Sequence, residues 1–287
     1  MTSARVIVTR PASDAGLWAR QLADAGIAAE ALPLIDIVPL SGQADAQALS
    51  NAWEALGGYA ACMFVSGHAV EQFFKHKRPF AQSASAHEAI NNIATTNTDQ
   101  IFPGLRFMAP GPGTVAALRA VGVPALRIDS PAPDAGQFDS EALWQVIGGR
   151  DWPGCKVLIV RGQGTGGDSA GAGRDWIVRQ WQGLGASVHF VSVYQRRAPD
   201  WDESRLRRAR QAGQDGSVWL FSSSEAVANL VGLADLNGMD WQHARAVATH
   251  PRIAQAVRAA GWGVVVESRP ALADIRRALA SVELRHP

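Results

Sequence analysis

Short apolar runs recur along the chain, each followed by a stretch whose apolar positions repeat at helical spacing. Arg5-Val-Ile-Val-Thr-Arg10 predicts a first strand, and Ser13 or Asp14 is placed to cap a helix with Trp18, Leu22 and Ala25 on one face and Gly26 closing it. Residues 27–40 form a long extended stretch broken by Pro33 and Pro39, which suits an edge or a crossover better than a central strand. A helix over 45–56 leads to a buried-type strand at 60–65, after which Ser66-Gly67-His68 opens a helix reaching Phe74. The polar segment 75–104 reads as an inserted loop or helix on the outside. Strands follow at 106–110 and 125–129, Gly111-Pro-Gly-Thr114 turns into a helix ending at Gly122, and Asp139-Ser140-Glu141 starts another that ends near Gly148. The run 187–199 alternates β-branched and aromatic residues over about ten positions, longer than the usual five or six. A strand that overshoots its sheet can bridge to a second domain, and this one carries Tyr194, Arg196 and Arg197 where the chain would change domains.

From Lys156 the pattern restarts. Arg161 falls on Arg10, Phe221–Val227 falls on Phe64–Val70, and Ala256–Gly261 falls on Ala117–Gly122. Matches in one order mark an internal duplication of strand–helix units, with second-copy strands near 157, 188, 218, 245 and 264. Strands joined by helices imply parallel sheets with helices on both faces. Two such sheets make a bilobal α/β protein, whose ligands are expected at the carboxyl ends of the strands and in a cleft between domains.

Composition narrows this picture. At 287 residues there is room for two domains of ordinary size, and 47% hydrophobic content fits a globular protein rather than long disorder. The 27 Lys and Arg nearly cancel the 26 Asp and Glu, so no global basic field points to nucleic acid and any anion site is local. Lys75, Lys77 and Lys156 are the only lysines, so most positive charge is guanidinium, suited to forked carboxylate or phosphate contacts. Cys62 and Cys155 read as buried thiols without metal-ligand spacing. The chain shows no signal-peptide core and no apolar run of membrane-spanning length, so the expected location is the cytoplasm, with no membrane partner.

Gly162-Gln-Gly-Thr-Gly-Gly167 satisfies G-x-G-x-x-G after a strand, but a dinucleotide site also wants the helix to open at once and an acidic residue at the end of the next strand. Here the helix waits until Arg174 and the next strand ends in Tyr194-Gln195; no lysine follows the glycines, which excludes a P-loop, and a flexible surface loop is the plainer reading for most of Gly166 to Ala172. Two pairs of turns occupy matched positions instead: Ser66-Gly67-His68 with Ser222-Ser223-Ser224-Glu225, and Gly111-Pro-Gly-Thr114 with Thr249-His250-Pro251-Arg252. At strand-to-helix turns free main-chain N–H groups can hold carboxylates, glycine lets a backbone approach a ligand, and threonine both caps and donates. Serine capping alone explains one such turn, whereas two symmetric copies favour binding. Neither serine turn has the G-x-S-x-G pattern of a serine hydrolase. Tyr194 is either a packing residue with its hydroxyl at the rim or a functional phenol at the crossover.

Taken together, Val8-Thr-Arg-Pro11, Phe64–Val70, Gly111–Leu118, Ser140-Glu-Ala-Leu143, Val193-Tyr194-Gln195, Phe221–Val227 and Ala248–Ala256 resemble the uroporphyrinogen-III synthase family, in order and over nearly the whole chain. The specificity lies in the series rather than in any one motif. The resemblance implies closure of hydroxymethylbilane, a linear tetrapyrrole, to uroporphyrinogen III with loss of water and inversion of the last ring, without metal or organic cofactor. It also implies two similar flavodoxin-like, parallel-sheet α/β domains from an interleaved duplication, residues 1–38 with 197–287 and residues 39–196. Extended connectors at 29–40 and 187–199 would join them and act as hinges. Tyr194 matches the family's recurring tyrosine and is the expected donor to the departing hydroxyl. The substrate-binding set so implied is Arg10, Ser66, Gly67, His68, Gly111, Thr114, Arg161, Arg197, Ser222, Ser223, Ser224, His250, Arg252 and Ile253, acting through helix-terminal amides and guanidinium groups. A monomer is expected, its one implied protein partner being a transient hand-over from hydroxymethylbilane synthase.

The sequence departs from the family pattern in three places. Thr249-His250-Pro251-Arg252 stands where a second Gly-Pro-x-Thr turn is expected, exchanging a hydroxyl donor for a cation; His68 replaces the usual asparagine; and the loop after Arg161 is longer. Two rivals remain open at this level. One is a bilobal sensor that closes on an anionic ligand without chemistry and has no need of a phenol at 194; the other is a nucleotide-dependent enzyme using the Gly162 loop.

Overall fold

Val6-Ile-Val8 offers no polar face, so the segment has to be covered on both sides. It forms a parallel strand with Ile7 in one apolar cluster and Val6 and Val8 in another. The computed structural model describes residues 5–75, 102, 104–164 and 172–283. In chain order the elements are β1 (Val6–Val8), α1 (Ala12–Asp24), β2 (Ala29–Ala31), β3 (Asp36–Pro39), α2 (Gln43–Glu54), β4 (Ala61–Phe64), α3 (Gly67–Lys75), β5 (Arg106–Met108), α4 (Pro112–Ala120), β6 (Ile128–Asp129) and α5 (Ser140–Ile147). They continue as β7 (Lys156–Gln163), α6 (Ala172–Gly183), β8 (Ser187–Arg197), α7 (Glu203–Ala212), β9 (Val218–Phe221), α8 (Ser224–Gly232), β10 (Arg245–Ala248), α9 (Pro251–Ala259), β11 (Val264–Glu267) and α10 (Leu272–Glu283).

The chain divides into two compact units, Met1–Ile37 with Arg197–Pro287 and Val38–Arg196. In the first, the sheet order is β2-β1-β9-β10-β11, every neighbour parallel. In the second it is β3-β8-β7-β4-β5-β6, with the pairs from β8 to β6 parallel. If β7 is counted as the first strand of its unit, both sheets follow the flavodoxin order 2-1-3-4-5. Each sheet takes strands 1 and 2 from one copy of the repeat and strands 3 to 5 from the other, so the duplication is interleaved. The two long extended stretches end as neighbours, β3 lying beside β8 at the edge of the six-stranded sheet.

Burial on both faces explains the apolar strands. In the first unit Trp219 and Phe221 of β9 pack with Trp241 and Trp262, the last two stacked at 4.2 Å, while Val218 and Leu220 face α1 and α10 residues such as Leu22 and Ile275. In the second unit Phe64, Phe73 and Phe107 are fully buried on one side, and Trp181 with Ile147 and Ile159 on the other.

Several local expectations need correction. α1 begins at Ala12 with Pro11 at its N-cap, where the extended backbone of proline lets its carbonyl accept from Ala15 N–H, so neither Ser13 nor Asp14 caps it. The strand expected at 125–129 keeps only Ile128–Asp129: Pro124 starts a 3-10 turn over Ala125–Arg127, closed by Arg127 N–H on Pro124 O. α6 starts at Ala172, ahead of Arg174. Most of the inserted segment read at 75–104, and the 165–171 part of the glycine-rich loop, lie outside the described residues.

Cys155 is only half-buried, because it sits in the turn closed by its N–H on Trp152 O, whereas Cys62 lies in the core of β4, where burial pushes its thiol well up from the usual range. A thiol reagent is therefore expected to label Cys155 quickly in the native protein and Cys62 only on unfolding. Equal labelling rates by mass spectrometry would contradict that order.

Candidate functional site

Parallel strands put all their carboxyl ends on one edge of a sheet, and the candidate site residues fall near that edge of one sheet or the other. In the second unit, Ser66 follows β4 and accepts Ala69 N–H at 3.1 Å, capping α3. Its Oγ is also 3.0 Å from the Tyr194 hydroxyl. Tyr194 is buried at 2% exposure, and the ring of His68 stands edge-on to it with centroids 6.3 Å apart. A rim position for the phenol is thereby corrected: the hydroxyl is held inside the edge.

The cause is an irregularity between β7 and β8. Arg161 is in register with Ser192, but Gly162 is in register with Tyr194, so Val193 is an extra residue on β8. Residues in register on parallel strands point to the same side, and successive residues to opposite sides. The bulge therefore takes Tyr194 away from the face shared by Arg161 and Ser192 and toward α3. Arg161, 7% exposed, stays on its own face with its guanidinium 4.5 Å over the ring of Phe190.

Beside α3, Gly111 caps α4 through its extended backbone, and a side chain at Gly67 would rest against Ala117 Cβ at 3.6 Å and Gly113 O at 3.7 Å, so the first turns of α3 and α4 adjoin. Thr114 is buried in that turn. Ser66, Gly67, His68, Gly111, Thr114, Arg161 and Tyr194 thus share one sheet edge.

The first unit carries the remaining candidates. Arg10 follows β1, its guanidinium 4.7 Å over the Trp18 ring; burial draws its pKa down, opposed by the charge of Asp14, and its Nε is buried without a hydrogen-bond partner among the described residues. Ser222 follows β9, Ser223 caps α8 by accepting Glu225 N–H at 3.2 Å, and Ser224 is the exposed first residue of that helix. His250 caps α9, its Nδ1 accepting Arg252 N–H at 3.1 Å, with Arg252 exposed and Ile253 buried. Arg197, at the unit boundary, is 3.9 Å from Asp36.

The expectation of free amides narrows accordingly. Thr114 N–H donates to Gly111 O at 3.1 Å and Ile253 N–H to His250 O at 3.0 Å, and Arg252 N–H is taken by the His250 ring, so an incoming carboxylate competes with local bonds there. Two residues escaped the sequence reading. Arg269 follows β11, its Nε 3.8 Å from Asp274, and sits after a strand as Arg10 does. Gly162 opens the glycine-rich run that the sequence predicts as a loop, yet it lies inside β7, and a glycine inside a strand signals a close approach by another group.

Among the described residues no group of three or more His, Cys, Asp or Glu side chains could hold a metal ion, and no helix is long and apolar enough to cross a membrane. The G-x-G-x-x-G reading also loses its turn, because β7 runs on through Gln163.

In comparisons with known proteins, the family model described as Uroporphyrinogen-III synthase HemD matches residues 17–275. The fold is similar to that of a mutant uroporphyrinogen III synthase from the extremely thermophilic bacterium Thermus thermophilus, at 12% identity over 99% of this chain and 100% of that one, with a TM-score of 0.56. It is likewise similar to uroporphyrinogen-III synthetase from Helicobacter pylori, at 11% identity over 98% of this chain and 100% of that one, with a TM-score of 0.52. At such identities the likenesses speak for the fold, whereas the family model spans both units and the turns described above, and on that match the chain belongs to the uroporphyrinogen-III synthase family.

Proposed function

We propose that the protein closes hydroxymethylbilane to uroporphyrinogen III, with loss of water and inversion of the last pyrrole ring. The observation that carries this activity is the family match running through residues 17–275. The reaction sets the site two tasks. Departure of the terminal hydroxyl as water needs a proton at that oxygen and leaves an azafulvenium cation. The cation closes spontaneously to the uninverted ring, so the flexible chain has to be held with the substituted carbon of its last pyrrole nearest the cation.

Tyr194 fits the first task. Ser66 Oγ has one proton and two lone pairs, one of which takes Ala69 N–H. When the serine proton points to the phenol oxygen, 3.0 Å away, the phenol's own proton is directed elsewhere and is available to the departing hydroxyl. For the second task, Arg10, Arg161, Arg197 and Arg252, with the serine and glycine turns, supply guanidinium and main-chain donors for a polycarboxylate. In this reading the enzyme works as a cytoplasmic monomer and takes its substrate by transient hand-over from hydroxymethylbilane synthase.

Incubating the purified protein with hydroxymethylbilane and separating the oxidised isomers tests the activity. Isomer III is expected to dominate. The same yield of isomer I with and without protein would overturn the reading and return the chain to the class of non-catalytic binders.

A further inference from the structure

Gly162 occupies a position where the backbone itself makes no demand for glycine. Its φ is outside the left-handed region that eight other glycines adopt among the described residues. What excludes a side chain is Tyr194: a Cβ built on Gly162 would lie 2.1 Å from Cε2, 2.4 Å from Cζ and 2.8 Å from Cδ2 of the ring. The ring has little room to yield. Its hydroxyl is bonded to Ser66, His68 stands at its edge, and the residue is 2% exposed. Bulge and glycine therefore act together, one turning Tyr194 toward α3 and the other letting its ring lie against the β7 backbone.

We infer that Gly162 is a positioning residue for the reaction: its bare backbone is the seat that sets where the Tyr194 hydroxyl stands relative to the departing group. This rests on Tyr194 being the proton donor. A methyl group at 162 has to push the ring off its seat and the phenol oxygen off Ser66, while leaving the cationic groups that hold the substrate untouched.

The test is a cycle of Gly162→Ala, Tyr194→Phe and the double variant, each assayed for kcat, KM and melting temperature. Gly162→Ala is expected to lower kcat by at least about tenfold with KM within about twofold, and to add no further loss of kcat to Tyr194→Phe. Wild-type turnover in Tyr194→Phe would remove the donor reading, and this inference with it. An impaired Tyr194→Phe beside an unimpaired Gly162→Ala would remove this inference alone, as would a full additional loss in the double variant. Should Gly162→Ala fail to fold, Gly162→Ala/Tyr194→Ala decides, because the methyl then enters space the ring has left. A recovered cooperative melt supports the seat, and no recovery overturns it.

Discussion

Tyr194→Phe is expected to lower turnover by at least about tenfold while the protein stays folded, since a positioned general acid contributes on the order of 100-fold to 10,000-fold and water replaces part of that. The substitution removes one oxygen atom and leaves the ring on Gly162. Ser66 keeps its bond to Ala69 N–H, so α3 keeps its cap. Loss of the single hydroxyl contact at 3.0 Å costs about 1 kcal/mol of stability, too little to unfold an ordinary domain. The arginines and turns assigned to the substrate carboxylates are unchanged, so KM is expected to hold while kcat falls. Spontaneous closure continues at its own rate, so the share of isomer I rises as the enzymatic share declines. Initial rates and isomer ratios measured together check this, and an unchanged rate returns Tyr194 to packing.

Asp129→Asn is expected to cost about 2 to 4 kcal/mol of stability, somewhat below the roughly 3 to 5 kcal/mol of a fully buried broken ion pair because both arginines are one-third exposed. Asp129, 4% exposed, receives Arg106 Nε at 3.1 Å, Arg106 Nη2 at 2.5 Å and both terminal nitrogens of Arg150 at 2.6 Å. Removing the charge leaves two guanidinium groups facing one another at the end of β6. Burial by itself would raise the carboxyl's pKa, but the hydrogen bonds and charges of Arg150 and Arg106 outweigh it and hold the pKa below the ordinary value. A carboxyl depressed in the folded state contributes fully above its unfolded pKa of about 3.9, and the contribution is lost as pH falls through the lower folded value. Urea unfolding is therefore expected to show a constant gap between wild type and Asp129→Asn near neutrality that closes below about pH 4. A gap independent of pH would show that the carboxylate's charge is not what stabilises this corner.

Those parts of the fold set by local pattern could be read from the chain. Apolar runs such as Val218-Trp-Leu-Phe221 are buried on both faces, so their hydrophobicity is unbroken, and the serines after β4 and β9 cap the helices that follow. What escaped depends on partners distant in sequence. The seat for Tyr194 joins residues 162 and 194 across two strands, and the glycine run after Arg161 resembled a loop because nothing local marks a strand passing through it. Tyr194 itself was legible by likeness, but the side of the sheet it faces was not, since that depends on an extra residue at Val193 that only the pairing of β8 with β7 reveals. The amides of Thr114, Arg252 and Ile253 looked available because a sequence shows where a helix starts and not which first-turn bonds close there.

The interleaved sheets also set a timetable for the newborn chain. Residues 38–196 are continuous, so the six-stranded sheet can form soon after β8 leaves the ribosome. Strand β1 has no such luck: it lies between β2 and β9, and the bond from Thr9 Oγ1 to Leu220 O spans 211 positions. At a translation speed of about 5 to 20 residues per second, the first strand and helix wait roughly 10 to 40 s for that neighbour. Until then Val6-Ile-Val8 has one open side, an apolar strand edge able to pair wrongly until β9 is made.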